Sequence, residues 1–204
     1  MKTIILPVDD PHALTRAVEA LEAGDLVAFP TDTVYGVGAL VHEPESIAKL
    51  YVIKERDLLK AIPILVGSVA GLDQVASGIN QKARRLAKAF WPGPLTLVVP
   101  RHPALPEIVS PYPTVGVRMP AHQTALNLLE LAGPLAVTSA NLSGEPSSRT
   151  ADEVVAQLKG RLPLILDGGQ TPGGQPSTVV DCTQPDLTIL RPGPISMEQI
   201  NQAL

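Results

Sequence analysis

The sequence predicts an α/β fold, a twisted and mostly mixed β-sheet with flanking helices and a central concave pocket. Three observations carry this expectation. Short apolar runs rich in β-branched residues alternate with stretches that carry helix caps. The alternation has no clean strand–helix–strand rhythm mid-chain, which favours a mixed sheet over a purely parallel one. Three apolar runs carry small polar groups at an end, in Phe29-Pro30-Thr31-Asp32-Thr33-Val34-Tyr35-Gly36, Pro134-Leu135-Ala136-Val137-Thr138-Ser139-Ala140-Asn141-Leu142-Ser143-Gly144 and Pro176-Ser177-Thr178-Val179-Val180-Asp181. Strand ends of this kind build ligand sites in open α/β sheets, and three of them suggest one polar pocket.

The first strand is expected at 3–6, before a helix opened by Asp10 with Pro11 in its first turn and closed near Gly24. Leu26-Val27-Ala28-Phe29 is a buried strand stopped by Pro30. A helix enters at Pro44 and runs toward Lys54. Residues 62–66 have strand character, with Pro63 pointing to an edge or a bulge. Helices at 68–76 and 80–90 lead to a strand at 95–99. Strands follow near 114–118, 135–138, 163–167 and 177–182, with helices at 121–132 and 151–159. Thr150-x-x-Glu153 is a capping box, and Ser196 with Gln199 opens the last helix after a strand at 187–190.

The chain has 204 residues and no repeat, low-complexity tract or charge run, and its 21 prolines sit at element boundaries. Residues 1–204 are therefore expected to form a single domain, burying about 70% of the unfolded surface. No apolar run approaches the ~18 residues of a membrane helix, and the proline at position 7 breaks the N-terminal run too soon for a secretory signal. Cys182 is the only cysteine, so a disulfide framework is impossible and a cytoplasmic setting is expected. A net charge of −4 and an aromatic content of 3% argue against a basic or stacking surface for nucleic acid.

The chain carries no phosphate-binding Gly-x-x-x-x-Gly-Lys loop, no third glycine after Gly36-x-Gly38 and no Gly-x-Ser-x-Gly elbow. His12, His42, His102 and His122 are scattered, so no metal site is expected. What remains is cations and hydroxyls. Lys54-Glu55-Arg56 fits either a solvated helix end or a cation site, with Lys60 close by. Arg118 and Arg191 each end a strand before a proline turn, where a guanidinium fork can face a carboxylate or phosphate. Ser139 to Gly144 is the best phosphate candidate, since small donors there precede a glycine. Asp32 suits a turn better than a magnesium ion. The glycines at 168–169 and 173–174 fit a mobile flap or a long loop.

Together these residues resemble the YrdC-like family of threonylcarbamoyl-adenylate synthases. The resemblance spans the chain through Pro30-Thr31-Asp32-Thr33-Val34-Tyr35-Gly36, Lys54-x-Arg56, Trp91-Pro92-Gly93-Pro94-Leu95-Thr96, Val117-Arg118-Met119-Pro120, Ser139-Ala140-Asn141, Ser177-Thr178-Val179-Val180 and Leu190-Arg191-Pro192-Gly193. It implies a short, single-domain nucleotidyltransferase that joins L-threonine, bicarbonate and ATP, with Mg2+ on the ATP, and releases pyrophosphate. A threonylcarbamoyl transferase complex then uses the product on adenosine 37 of transfer RNA. Contact with the RNA itself is expected to be indirect, and no membrane is involved. The family tetrad maps to Lys54, Arg56, Ser139 and Asn141. Threonine contacts map to Thr33, Arg118, Val137 and Ser177. Nucleotide contacts map to Arg56, Lys60, Thr114, Ser139, Ser147 and Arg191.

Three positions depart from the family pattern: Leu65 stands where many members have histidine, Lys60 where asparagine is frequent, and Gln175-Pro176 where some have Val-Glu. Two alternatives are an RNA-binding module with a basic face of Lys54, Lys60, Arg84, Arg85 and Lys88, and a carbamoyl-transfer relative with another acceptor.

Overall fold

The computed structural model describes residues 2–204. Ten strands form one mixed sheet: β1 (Ile4–Pro7), β2 (Val27–Phe29), β3 (Gly36–Leu40), β4 (Ile64–Leu65), β5 (Leu95–Pro100), β6 (Thr114–Arg118), β7 (Leu135–Ser139), β8 (Leu164–Asp167), β9 (Thr178–Asp181) and β10 (Thr188–Arg191). Their spatial order is β1-β8-β2-β3-β7-β4-β6-β5-β9-β10. Four neighbouring pairs are parallel (β1 with β8, β2 with β8, β4 with β6, β5 with β9) and the others antiparallel, as expected of a mixed sheet. Seven α-helices flank it among the described residues: α1 (Ala13–Glu22), α2 (Pro44–Lys54), α3 (Leu72–Val75), α4 (Gln81–Phe90), α5 (Gln123–Ala132), α6 (Ala151–Leu158) and α7 (Met197–Gln202). Among the described residues no helix is long and apolar enough to cross a membrane.

Side-chain alternation along the strands sends each apolar run into two layers. In β2, Val27 and Phe29 join Ala13, Ala17 and Leu21 of α1 and Leu128 and Leu129 of α5, whereas Ala28 faces the opposite core. That second core holds Ile47 and Leu50 of α2, Leu86 of α4, Val154 of α6 and Ile200 of α7. Burying a leucine or isoleucine in either layer is worth about 1.5–3 kcal/mol.

Four local expectations are corrected. Helix α1 begins at Ala13, with Asp10 accepting from the His12 amide at 2.8 Å and Pro11 outside the helix. Strand β3 was not foreseen, because two glycines depress strand propensity; here Val137 requires them. A Cβ at Gly36 would stand 2.8 Å from Val137 Cγ1, and one at Gly38 3.1 Å from Val137 Cγ2. Strand β4 lies inside the sheet, not at an edge. Pro63 is tolerated because it precedes the two-residue strand and offers only its carbonyl, which accepts from the Val137 amide at 2.8 Å. At α6 the Thr150 hydroxyl caps the Glu153 amide at 3.2 Å, but the Glu153 carboxylate accepts from the Arg149 amide and not from Thr150. The full capping box is at Ser196 and Gln199.

Candidate active site

A concave cleft opens on the sheet face that carries α1 and α5; Leu65 and Val137, which line it, pack in that layer. Its first wall is the turn between β2 and β3. Pro30 ends the strand, and the Thr31 hydroxyl then organises the turn, accepting from the amides of Thr33 and Val34 and donating to the Val34 carbonyl at 2.7 Å. Tyr35 anchors the turn from below. Its amide donates to Ser148 O at 2.8 Å and its hydroxyl to Gly169 O at 2.8 Å. Burial, with the Asp167 carboxylate close by, pushes the Tyr35 phenol up to about 12.

Arg118, at the end of β6, faces this turn. Its Nε donates to Gly93 O at 3.0 Å, one Nη to Thr33 Oγ1 at 3.0 Å, and the other to the Asp32 carboxylate. Asp32 also accepts from the Ala121 amide at 3.0 Å. Asp32 thus orients an arginine and closes a turn. Burial pulls the Arg118 pKa down, and Asp32 opposes that pull.

Two further guanidiniums complete the cleft. Arg56 follows the left-handed Glu55 (φ 52°) at the end of α2, and donates to Lys60 O at 3.2 Å and Ala61 O at 2.9 Å. Arg191, ending β10, holds Ser177 O at 2.9 Å and Ser177 Oγ at 3.0 Å. The Ser177 hydroxyl also meets Thr96 Oγ1 at 2.8 Å. Burial lowers the pKa of both arginines; Arg56 lowers that of Arg191, and Arg191 that of Arg118. Three arginines therefore share one field, and no carboxylate lies among the lining residues. Such a cleft selects anions, and the arginine forks suit carboxylate and phosphate oxygens.

Of the residues singled out from the sequence, Thr33, Arg56, Arg118, Val137, Ser139, Ser177 and Arg191 line this cleft. Lys54 and Asn141 stand behind its wall. Lys54 is 1% exposed and its ammonium donates to the carbonyls of Ser139 and Asn141, while its own carbonyl accepts from Ser143 N at 2.9 Å. Burial first, and Arg56 second, pull its pKa from 10.5 down to about 7. The Asn141 amide donates to Leu142 O and Glu145 O, both at 2.8 Å, so it shapes the loop after β7.

Three nucleotide assignments, Thr114, Ser147 and Lys60, are not among the lining residues. Thr114 starts β6, four residues from Arg118, roughly 13 Å along the strand. Ser147 lies on the loop beyond Asn141, outside the lining. Lys60 is exposed and contributes its carbonyl, to Arg56 and Tyr51. The basic face proposed for RNA does not form either, since Lys54 is buried and Arg84 pairs with Asp73 at 2.6 Å.

Pro63, Leu65, Thr96 and Pro176 line the cleft without having been singled out as contacts. Thr96 carried a usable signal: it is the one polar side chain in the run Leu95-Thr96-Leu97-Val98-Val99. Gly193 sets how Arg191 enters. A Cβ there would stand 2.6 Å from Ser177 C and 2.7 Å from Pro176 O, against backbone that cannot yield. Gly193→Ala is expected to cost about 1–3 kcal/mol in thermal unfolding and to weaken anion binding, measured by titration with inorganic pyrophosphate.

A model of the Sua5, YciO and YrdC proteins, described as telomere recombination, matches residues 19–193, a span that contains every lining residue. The chain belongs to the Sua5/YciO/YrdC family. A Pyrococcus abyssi protein named threonylcarbamoyl-AMP synthase is 41% identical over 186 residues, covering 90% of this chain and 55% of its own length. A Bacillus subtilis protein of the same name is 40% identical over 202 residues, covering 98% of this chain and 58% of its own. This Sua5/YciO/YrdC chain therefore spans little more than half the length of these two relatives. The crystal structure of P. abyssi Sua5 complexed with L-threonine superposes with a TM-score of 0.96 at 40% identity, covering 99% of this chain and 61% of that one.

Proposed function

We propose that this chain joins L-threonine, bicarbonate and ATP into threonylcarbamoyl-AMP and releases pyrophosphate, as a nucleotidyltransferase of transfer-RNA modification. The observation that carries the reading is the convergence of Arg56, Arg118 and Arg191 on one cleft that Pro63, Leu65 and Val137 also line. Carbamoylation of the threonine amine by bicarbonate gives a carbamate and water. The carbamate oxygen then attacks the α-phosphorus, forming the new P–O bond as the bond to pyrophosphate breaks. Both steps gather negative charge and need cations and alignment more than a nucleophilic side chain.

Arg56 and Arg191 would hold phosphate oxygens, with Ser139 at the end of β7 lining the same cleft. Arg118 is placed for the threonine carboxylate, with two of its five N–H groups not engaged by Gly93, Thr33 or Asp32. Leu65, Pro63 and Val137 offer apolar contact for the threonine methyl. Magnesium enters as part of the substrate MgATP; the described residues group no three side chains for an ion, and Asp32 is held by Arg118. The product would pass to a threonylcarbamoyl transferase acting on adenosine 37 of transfer RNA in the cytoplasm.

The test is pyrophosphate release from MgATP by purified protein. Release is expected only when L-threonine and bicarbonate are both present. Equal release without threonine would remove threonine from the reaction.

A further inference from the structure

We propose that Thr31 is a positioning residue that turns Thr33 into a pure hydrogen-bond acceptor toward the cleft, so that the substrate group seated on Thr33 is an N–H or O–H donor. This rests on the reading of the cleft as an amino-acid site. A threonine hydroxyl has one proton. That of Thr31 lies on the Val34 carbonyl at 2.7 Å, a separation that two oxygens reach only with a proton between them. The Thr31 and Thr33 hydroxyl oxygens are 3.0 Å apart, and either could donate on distance alone. With the Thr31 proton on Val34, only Thr33 can supply a proton to that gap, where it shares the Thr31 lone pairs with the longer bonds from the amides of Thr33 at 3.2 Å and Val34 at 3.3 Å.

Arg118 drives the same orientation from the other side. Its Nη donates to Thr33 Oγ1 at 3.0 Å, and the positive charge turns the hydroxyl proton away from the guanidinium, toward Thr31. The chain thus runs in one direction, from Arg118 to Thr33, to Thr31, to the Val34 carbonyl. Both threonines are almost fully buried, at 3% and 2% exposure, so water does not compete for these positions. Thr33, which lines the cleft, keeps one Oγ1 lone pair that Arg118 does not use, and no proton for it. A carboxylate or phosphate oxygen there would meet lone pair against lone pair, whereas the amine or the side-chain hydroxyl of an amino acid would be welcomed. The wall consequently reads polarity: Arg118 takes the acceptor end of the substrate and Thr33 the donor end.

Thr31→Val keeps the volume and removes the acceptor for the Thr33 proton, which is then free to turn into the cleft. Expected for T31V is a two- to tenfold rise in Kd and KM for L-threonine, about the value of one neutral hydrogen bond, with kcat nearly unchanged. Thr31→Ser keeps the hydroxyl and is expected to restore both values. L-2-Aminobutyrate, which lacks the side-chain hydroxyl, separates the two donor sources. If the substrate hydroxyl is the donor, T31V leaves 2-aminobutyrate binding unaffected; if the amine is the donor, T31V weakens both ligands alike.

Threonine binding by T31V equal to that of the unmodified protein, or equal loss in T31V and T31S, overturns the proposal. Hydroxyl-proton NMR of the unmodified protein tests it even if T31V fails to fold. Two slowly exchanging protons, with that of Thr33 directed at Thr31, support it, and a Thr33 proton directed into the cleft overturns it. An unmodified protein that neither binds threonine nor releases pyrophosphate would instead overturn the functional reading, which keeps the two failures apart.

Discussion

Replacing Arg118 by methionine is expected to destabilise the protein by about 3–5 kcal/mol and to abolish threonine-dependent pyrophosphate release. The side chain is buried and ties two separate segments to β6: the turn before β5 through the Gly93 carbonyl, and the turn after β2 through the Thr33 hydroxyl and the Asp32 carboxylate, which itself holds the segment before α5 through the Ala121 amide. Methionine fills a similar volume but leaves the Asp32 carboxylate, 11% exposed, without its counter-charge. Removing one partner of a buried pair costs more than the pair contributes, because the other charge stays desolvated. In thermal unfolding followed by circular dichroism the midpoint should fall by about 10 °C or more. Arg118→Lys separates charge from geometry. A point charge can satisfy Asp32 but cannot also reach Gly93 and Thr33, so part of the stability should return while activity stays at least about a hundredfold down. An Arg118→Met variant as stable as the parent, or full activity in Arg118→Lys, would refute this account of the fork.

Lys54→Met is expected to change the pH dependence of stability as well as its size. The ammonium titrates near 7 in the folded protein and near 10.5 in the unfolded chain, because burial and Arg56 both disfavour its charge. Between these values the unfolded chain holds a proton that the folded protein has released. Stability therefore rises with pH across that window, by at most about 1.4 kcal/mol per pH unit. The two carbonyls that accept from Lys54 favour its charged form and so limit the width of that window, not its slope. Methionine removes the titrating group and leaves the Ser139 and Asn141 carbonyls without a donor. Urea unfolding from pH 7 to 9.5 should show the parent gaining on Lys54→Met as pH rises. A gap that is constant, or that narrows with rising pH, would contradict it. Turnover should also fall, since the loop carrying Ser139 loses its anchor on the end of α2.

Much of the sheet was legible because burial forces apolar alternation, and the runs ending at Phe29, Val99, Val117 and Val180 could hardly be anything else. Helix α2 was legible at both ends, with Pro44 suited to a first turn and Lys54 to a last one. Strand β3 was hidden because Gly36 and Gly38 are there for Val137, and Val137 is a hundred residues away in sequence. Pro63 misled for the same reason: whether a proline disrupts a sheet depends on which of its neighbours needs an amide, and that is a property of β7 and not of the segment itself.

The chain by itself determined the inventory of the site. Three arginines, a pair of hydroxyls before Val34 and small polar residues at three strand ends were all visible, and no nucleophile–histidine pair stood beside them. Only the tertiary structure decided which of these groups share a space. It brought Thr33, Arg118, Ser139, Ser177 and Arg191 to one face, put Lys54 and Asn141 behind the wall, and left Thr114 and Ser147 outside. It also assigned Asp32 to Arg118 and gave the Thr31–Thr33 pair its direction. Residue type is a property of the chain. Burial, proton direction and the coupling of charges are set by neighbours brought together from distant positions, and so appear only when the sheet closes around the cleft.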